Sequence, residues 1–80
     1  MNVVAYRHES RVGPFFVRFD PRTRRWHAIW NDENLGSYSS PVGAIDDLAG
    51  GHTFSASCGD TSRLGLSRDI GDWTPIGAGR

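Results

Sequence analysis

The sequence predicts an α+β fold, in which an antiparallel sheet of three or four strands packs one helix on one face and is followed by an irregular C-terminal tail. Two aromatic-rich segments, Phe15–Phe19 and Arg24–Trp30, alternate with a period of two on either side of a turn, which predicts a hairpin. Ser39–Gly51 combines helix-capping residues with an apolar repeat at helical spacing. These observations indicate a small sheet covered by a single helix.

The predicted hairpin places its apolar side chains on one face, because alternate residues of a strand point to the same side. In the turn Asp20–Thr23, Pro21 presets φ and the Asp20 carboxylate accepts a hydrogen bond from a backbone N–H two residues on. The inward set is Phe15, Val17, Phe19, Trp26, Ala28 and Trp30. The outward set is Phe16, Arg18, Arg25, His27 and Ile29.

Two further strands and the helix complete the core. Asn2–His8 favours a first strand, and the polar stretch Asn31–Asn34 predicts a turn before a short strand at Leu35–Tyr38. The helix is expected to begin with Ser40 as N-cap and Pro41 at its first position, and to end at the glycine pair 50–51. Its apolar stripe is Val42, Ile45, Leu48 and Ala49.

The tail is expected to be anchored on the core by apolar residues and to lack extended regular structure. The anchors are Leu64, Leu66, Ile70 and Trp73. We expect one domain over residues 1–76 and a disordered tail over residues 77–80. With one cysteine, no signal-like start and no long apolar run, the sequence favours a cytoplasmic protein without membrane contact.

Charge is balanced overall but divided along the chain. Residues 1–30 carry six arginines against two carboxylates, whereas residues 31–80 carry three arginines against seven carboxylates, and the net charge is zero. This division predicts a dipolar surface able to orient a charged partner. It is equally compatible with basic strands that lie beside acidic loops and neutralise them.

The sequence argues against an enzyme. His8, His27, His52 and Cys58 match none of the usual zinc spacings, and Cys58 has no sequence context typical of a nucleophile. The adjacent carboxylates of the helix point about 100° apart, so they are poorly placed to share a proton or a metal. We expect no catalytic residues, no metal and no cofactor.

Two charged sets remain as candidate binding surfaces. The basic set is Arg18, Arg22, Arg24 and Arg25, and the acidic set is Asp32, Glu33, Asp46 and Asp47. Arginine and aromatic groups on a sheet can bind phosphates and bases, or receive an acidic protein surface. The acidic set can imitate phosphate charge. The sequence leaves open which set makes the contact.

Trp26–Trp30, Leu35–Pro41, the helix with Asp46-Asp47-Leu48, and Gly50–Phe54 together resemble small uncharacterised bacterial and prophage proteins. In size and in its lack of catalytic motifs the chain also resembles phage anti-CRISPR proteins. That resemblance implies a non-catalytic module that binds a larger protein or nucleoprotein complex and inhibits it by surface occlusion. The alternative is a small nucleic-acid-binding module that uses the basic hairpin Arg18–Arg25.

Overall fold

The computed structural model describes residues 3–53 and 56–77. Their strands form one antiparallel sheet in the order β4-β3-β2-β1-β5, with one α-helix and two short 3-10 turns. The elements are β1 (Val3–His8), β2 (Phe15–Asp20), β3 (Arg25–Trp30), β4 (Glu33–Tyr38), α1 (Pro41–Gly50) and β5 (Thr74–Gly77). Within these residues no helix combines the length and the apolar composition needed to cross a membrane.

The predicted α+β class and single covering helix are confirmed, with one strand more than expected. Strands β1 to β4 pair in sequence order, and β5 returns to pair with the free edge of β1. β5 contains Pro75 and has no alternating apolar pattern, so its pairing depends on tertiary contacts. It ends at Gly77, while residues 78–80 of the predicted tail and Asn2 of the predicted first strand lie outside the described residues.

The register of β2 and β3 confirms the predicted hairpin. Val17 pairs with Ala28 and Phe15 with Trp30, so the apolar residues of both strands share one face. In the connecting turn the Arg22 N–H donates to Asp20 Oδ1 at 2.9 Å, as the sequence predicted. This hairpin therefore forms the centre of the sheet, and it carries the basic residues at its turn.

The β3–β4 turn is shorter than the sequence predicted. Only Asn31 and Asp32 form it, with φ of 49° and 67°, and Glu33 is already the first residue of β4. Asn and Asp tolerate this left-handed conformation better than other non-glycine residues, which is why a two-residue turn is possible here. A bulge follows near Gly36, which has φ of 155° and leaves room for the Tyr38 ring.

Helix α1 begins and ends as predicted and covers the inward face of the sheet. Ser40 Oγ accepts the Gly43 N–H at 3.1 Å, and Gly51 takes the left-handed conformation just past the helix. On the buried side Ile45 and Leu48 are fully enclosed, whereas Val42, predicted to be part of the apolar stripe, is 53% exposed. The core that results is Phe15, Val17, Ala28, Leu35, Ala44, Ile45, Leu48, Ala56, Leu66 and Trp73.

The tail contains two short 3-10 turns and is held in place by hydrogen bonds of buried side chains. Its 3-10 turns span Thr61–Arg63 and Ile70–Asp72. The buried Thr61 hydroxyl donates to the Leu48 carbonyl at 2.6 Å, and the indole N–H of Trp73 donates to the Ser67 carbonyl at 2.8 Å. The tail thus packs against α1 on the same side of the sheet and leaves the opposite face available.

Candidate functional site

The sheet face opposite α1 carries an apolar centre with arginines around it. We call this surface the open face, and its residues are Ala5, Arg7, Phe16, Arg18, His27, Ile29 and Ile76. The strand pairing sets their order, because residues paired across neighbouring strands point to the same side. Phe16 lies between Arg7 and Ile29, and Arg18 lies between Ala5 and His27.

A shallow groove of about 690 Å³ runs along the open face. Its walls include the apolar side chains of Ala5, Phe16, Ile29 and Ile76. Ile76 in the edge strand β5 is 36% exposed. Phe16 and Ile29 are only partly buried, although both are large apolar residues in interior strands of the sheet. A groove of this size and composition is able to hold one or two apolar side chains from a partner.

A smaller polar pocket of about 250 Å³ adjoins the groove, and the two share Arg18 and Ile29. We call it the polar pocket, and its other lining residues are Phe19, Asp20, Pro21, Arg22, His27 and Asn34. Asp20 is ionised at neutral pH, because the Arg22 backbone N–H holds the pKa of its carboxyl below the usual value. The polar pocket is therefore lined by two guanidinium groups, one carboxylate and the His27 imidazole.

The hydrogen bonds around His27 define the state of its ring. Asn34 Oδ1 accepts the Gly36 N–H at 3.1 Å, so the amide nitrogen of Asn34 is the atom that faces His27 Nδ1 at 3.0 Å. His27 Nδ1 accepts from this amide, and in the neutral ring the proton is then on Nε2. Nε2 is buried without a hydrogen-bond partner among the described residues, and Asp20 Oδ2 is 3.8 Å away.

The four predicted basic residues all lie on the β2–β3 hairpin, but they differ in their contacts. Arg25 Nε donates to Ser37 Oγ at 2.6 Å and is engaged within the sheet. Arg22 Nε is 3.9 Å from Asp20 Oδ1, too far for a hydrogen bond. Within residues 3–53 and 56–77, the side chains of Arg18 and Arg24 have no hydrogen bond or ion pair. These two arginines are therefore available to a partner.

The four predicted acidic residues are divided between two regions, and three of them are engaged in the fold. Glu33 accepts from the backbone N–H and hydroxyl of Ser57, which lowers the pKa of its carboxyl. Asp46 Oδ1 is 2.7 Å from Arg68 Nη1, and Asp47 lies beside the Tyr38 hydroxyl. Asp32 is exposed at the β3–β4 turn, where it lines one end of the groove. The acidic set does not form one surface.

Sequence reasoning found only part of this site. It placed Phe16, Arg18, His27 and Ile29 on the outward face, but it did not identify the groove. The contributions of Ala5 and Ile76 depend on the pairing of β1 with β2 and of β5 with β1, which has no local signal in the sequence. The apolar Phe16 and Ile29 in the predicted outward set were the signal that could have pointed to the groove.

Cys58, the residue considered as a nucleophile, lines neither the groove nor the polar pocket. Cys58 is partly buried, and this burial raises the pKa of its thiol, with the Glu33 charge adding to the effect. The thiol form therefore predominates at neutral pH, which disfavours nucleophilic attack. In the part of the chain that the structure describes, no three His, Cys, Asp or Glu residues are placed to hold a metal ion together.

Comparison with known proteins identifies no relative, since no protein-family model, no curated protein and no solved structure matches the chain. The resemblance to prophage and anti-CRISPR proteins gains no support from these comparisons. A partner of that kind is therefore a proposal only. The open face, with its groove and its polar pocket, is the surface on which we base a proposed function.

Proposed function

We propose that the protein is a non-catalytic binding module whose open face contacts a larger protein or nucleoprotein complex. The observation that supports this most is the partly exposed apolar groove beside the guanidinium of Arg18, which has no partner among the residues that the structure describes. An apolar centre with a charged rim is the usual composition of a protein-binding surface. The partner surface that complements it presents an apolar side chain flanked by carboxylates.

The dimensions of the open face suit a protein contact. Most of its strands are six residues long, and strands about 4.8 Å apart give a face of roughly 24 by 20 Å. A specific interface buries about 800 Å² on each partner, which is the same order of size once side-chain relief is included. The open face is thus large enough for a specific contact without Glu33, Asp46 and Asp47 of the acidic set.

Charge complementarity favours an acidic partner. Arg7, Arg18 and Arg25 lie on the outward side of β1, β2 and β3, and Arg7 is ion-paired with Glu9. The carboxylates near these groups are Asp20 in β2 and Asp32 at one end of the groove. Arg22 and Arg24 extend the positive charge at the hairpin turn. An acidic rim around an apolar anchor would be attracted by these groups and oriented on the groove.

Nucleic-acid binding is the second candidate, supported by the unpaired Arg18 and Arg24. Phe16 supplies a stacking ring on the open face, but single-stranded nucleic acid is usually held by several aromatic rings along a basic groove. The net charge of zero also disfavours it. If the protein binds DNA or RNA at low salt and the Arg24→Gly variant weakens that binding for all sequences alike, this candidate replaces the first.

The test uses variants on both sides of the sheet. Tagged wild-type chain is used to recover a partner from nuclease-treated host lysate, and affinities are then measured with the purified partner. Arg18→Glu and Ile29→Gln should each weaken binding about tenfold or more. The first reverses a charge at the rim of the contact, and the second removes an apolar anchor from its centre. Val42→Ser is the matched control, since Val42 is exposed on α1, on the opposite side.

Two results would contradict the proposal. If the Arg18 and Ile29 variants bind the purified partner as the wild type does, the open face is not the contact surface. If Val42→Ser weakens binding instead, the helix side is the contact. The narrower proposal, that the partner is a phage host's nucleoprotein defence complex, requires that the wild-type chain and not Arg18→Glu inhibits a purified CRISPR effector.

A further inference from the structure

We propose that the polar pocket binds a carboxylate group, and that in the partner complex this group is an acidic side chain next to the apolar residue in the groove. The assignment of the carboxylate to a partner rests on the proposed function. The chemistry of the pocket is independent of it, because that chemistry depends on the contacts of His27, Asp20 and two arginines.

The first observation is a buried donor without an acceptor. Because His27 Nδ1 accepts from the Asn34 amide, the ring proton is on Nε2, and Nε2 is fully buried. The distance of 3.8 Å to Asp20 Oδ2 is too long for a hydrogen bond. Buried donors are almost always satisfied in folded proteins, so this N–H indicates an acceptor that the described residues do not provide.

The second observation is the charge around that donor. Arg18 and Arg22 line the polar pocket together with one carboxylate, Asp20. One oxygen of Asp20 already accepts the Arg22 backbone N–H at 2.9 Å. The two guanidinium groups and the single carboxylate give one positive charge in excess, and an entering carboxylate neutralises it. Two guanidinium groups and an imidazole N–H are typical donors to a carboxylate.

The third observation concerns access. Arg18 lies directly opposite His27 in the β2–β3 register, its side chain is exposed, and it has no partner within the described residues. An exposed, unpaired arginine can change rotamer at little cost. Displacement of Arg18 would open the way to Nε2 and would leave its guanidinium beside the entering group. Arg18 would then both cover the pocket and bind its ligand.

The adjoining groove favours a carboxylate on an aliphatic chain over a phosphate. Ile29 and Arg18 line both the groove and the polar pocket, so the carbon atoms next to a bound carboxylate contact Ile29. The methylene groups of an acidic side chain gain from this contact. The sugar and phosphate oxygens of a nucleic acid would instead be brought against an apolar wall, which is unfavourable.

The test is an NMR titration of the isotope-labelled protein with butyrate, acetate and inorganic phosphate. We expect butyrate to bind most tightly and to shift the His27 Nε2 resonance, because butyrate alone also reaches Ile29. His27→Phe and Arg18→Gln should each weaken butyrate binding about tenfold, since each removes one hydrogen bond to an ionised group. Arg24→Gly is the matched control, because it removes a charge from the same hairpin outside the pocket.

Three results would overturn the proposal. The first is a His27 resonance that does not respond to butyrate, and the second is an Arg24→Gly variant that loses as much affinity as the two pocket variants. The third is tighter binding of phosphate than of butyrate, which would point to a nucleic-acid backbone instead. If His27→Phe does not fold, Arg18→Gln alone decides. If butyrate causes no change in the NMR spectrum but Arg18→Glu still loses the protein partner, the carboxylate-binding pocket is disproved. The proposed binding function of the open face is then unaffected.

Discussion

At the scale of single residues, Asn31 and Asp32 show how a turn is set by the conformations its residues tolerate. Both have positive φ, which costs an ordinary L-residue about 1–2 kcal/mol and costs Asn and Asp less, because their short side chains bond locally. Glycine at the second position would have no such cost. The turn is therefore a place where the native sequence is not the most stable one.

We predict that Asp32→Gly raises the free energy of unfolding by up to about 1 kcal/mol, because the Asn-Gly pair suits the two-residue hairpin turn better than Asn-Asp. Urea unfolding followed by circular dichroism measures it. Asp32→Ala is the control and should lower stability, since alanine lacks both the glycine backbone freedom and the polar side chain. Equal losses in the two variants would show that the Asp32 side chain stabilises the turn by a contact.

The distance along the chain between interacting residues explains which local features could be predicted from the sequence. The Asp20 to Arg22 hydrogen bond and the Ser40 cap were predicted because each depends on neighbours within three positions. The extent of the β3–β4 turn was not, because a polar stretch such as Asn31–Asn34 does not show where pairing resumes. Glu33 belongs to β4 because it pairs with Trp30 of β3, and its side chain contacts Ser57, which is 24 positions away.

At the scale of elements, that contact ties the first residue of β4 to the loop before the tail. Glu33 accepts both the backbone N–H and the hydroxyl of Ser57, so the carboxylate form is stabilised in the folded protein. The pKa of the Glu33 carboxyl is accordingly lowered from its ordinary value of 4.5. Because the folded pKa lies below the unfolded one, the contact contributes stability above about pH 4.5, and this is lost as the pH falls through the folded pKa.

The predicted outcome is a difference between two pH profiles. In urea unfolding, the wild type should lose more stability between pH 6 and pH 3 than Glu33→Gln does, because glutamine does not titrate. Asp20 and Asp60, whose carboxyl pKa values are also lowered, remain in both proteins and contribute equally. Ser57→Ala loses the hydroxyl but keeps the backbone N–H, so it should lose less stability between pH 6 and pH 3 than the wild type does and more than Glu33→Gln does. Profiles that run parallel for wild type and Glu33→Gln would show that the contact does not stabilise the fold.

The elements differ in how strongly the sequence specifies them. Strands β2 and β3 and helix α1 have local patterns, and the structure contains all three. Strand β5 has four residues, three of them exposed, and is formed only because β1 offers an unpaired edge. The groove depends on this pairing through Ile76, so the part of the site that involves β5 could not be read from local patterns.

At the scale of the whole molecule, the division of charge along the chain becomes a division between two sides. Strands β1 to β3 contribute the arginines of the open face, whereas α1 and the tail carry most of the carboxylates. Contacts such as that of Arg68 with Asp46 neutralise part of the acidic side. On the basic side Arg7 pairs with Glu9, but Arg18 and Arg24 have no partner among the described residues, which is the physical reason for placing the proposed contact there.

The tail belongs to the same core as the sheet, and this makes the domain one cooperative unit. Trp73 is 2% exposed, and its ring lies 5.0 Å from that of His8 in β1. Removal of a buried large aromatic side chain costs about 3–5 kcal/mol. A small domain has a total stability of about 5–15 kcal/mol, so loss of this one contact is a large fraction of it.

We predict that Trp73→Ala lowers the midpoint of unfolding for the entire domain, while Trp73→Phe, which keeps a ring but loses the bond to Ser67, has a smaller effect. The other tryptophans, Trp26 and Trp30, both lie in β3, so their fluorescence in Trp73→Ala reports on the sheet alone. Their transition should shift together with the helical circular dichroism signal. If β3 instead unfolds at the wild-type midpoint, the tail is an independent attachment, and the open face would persist without it.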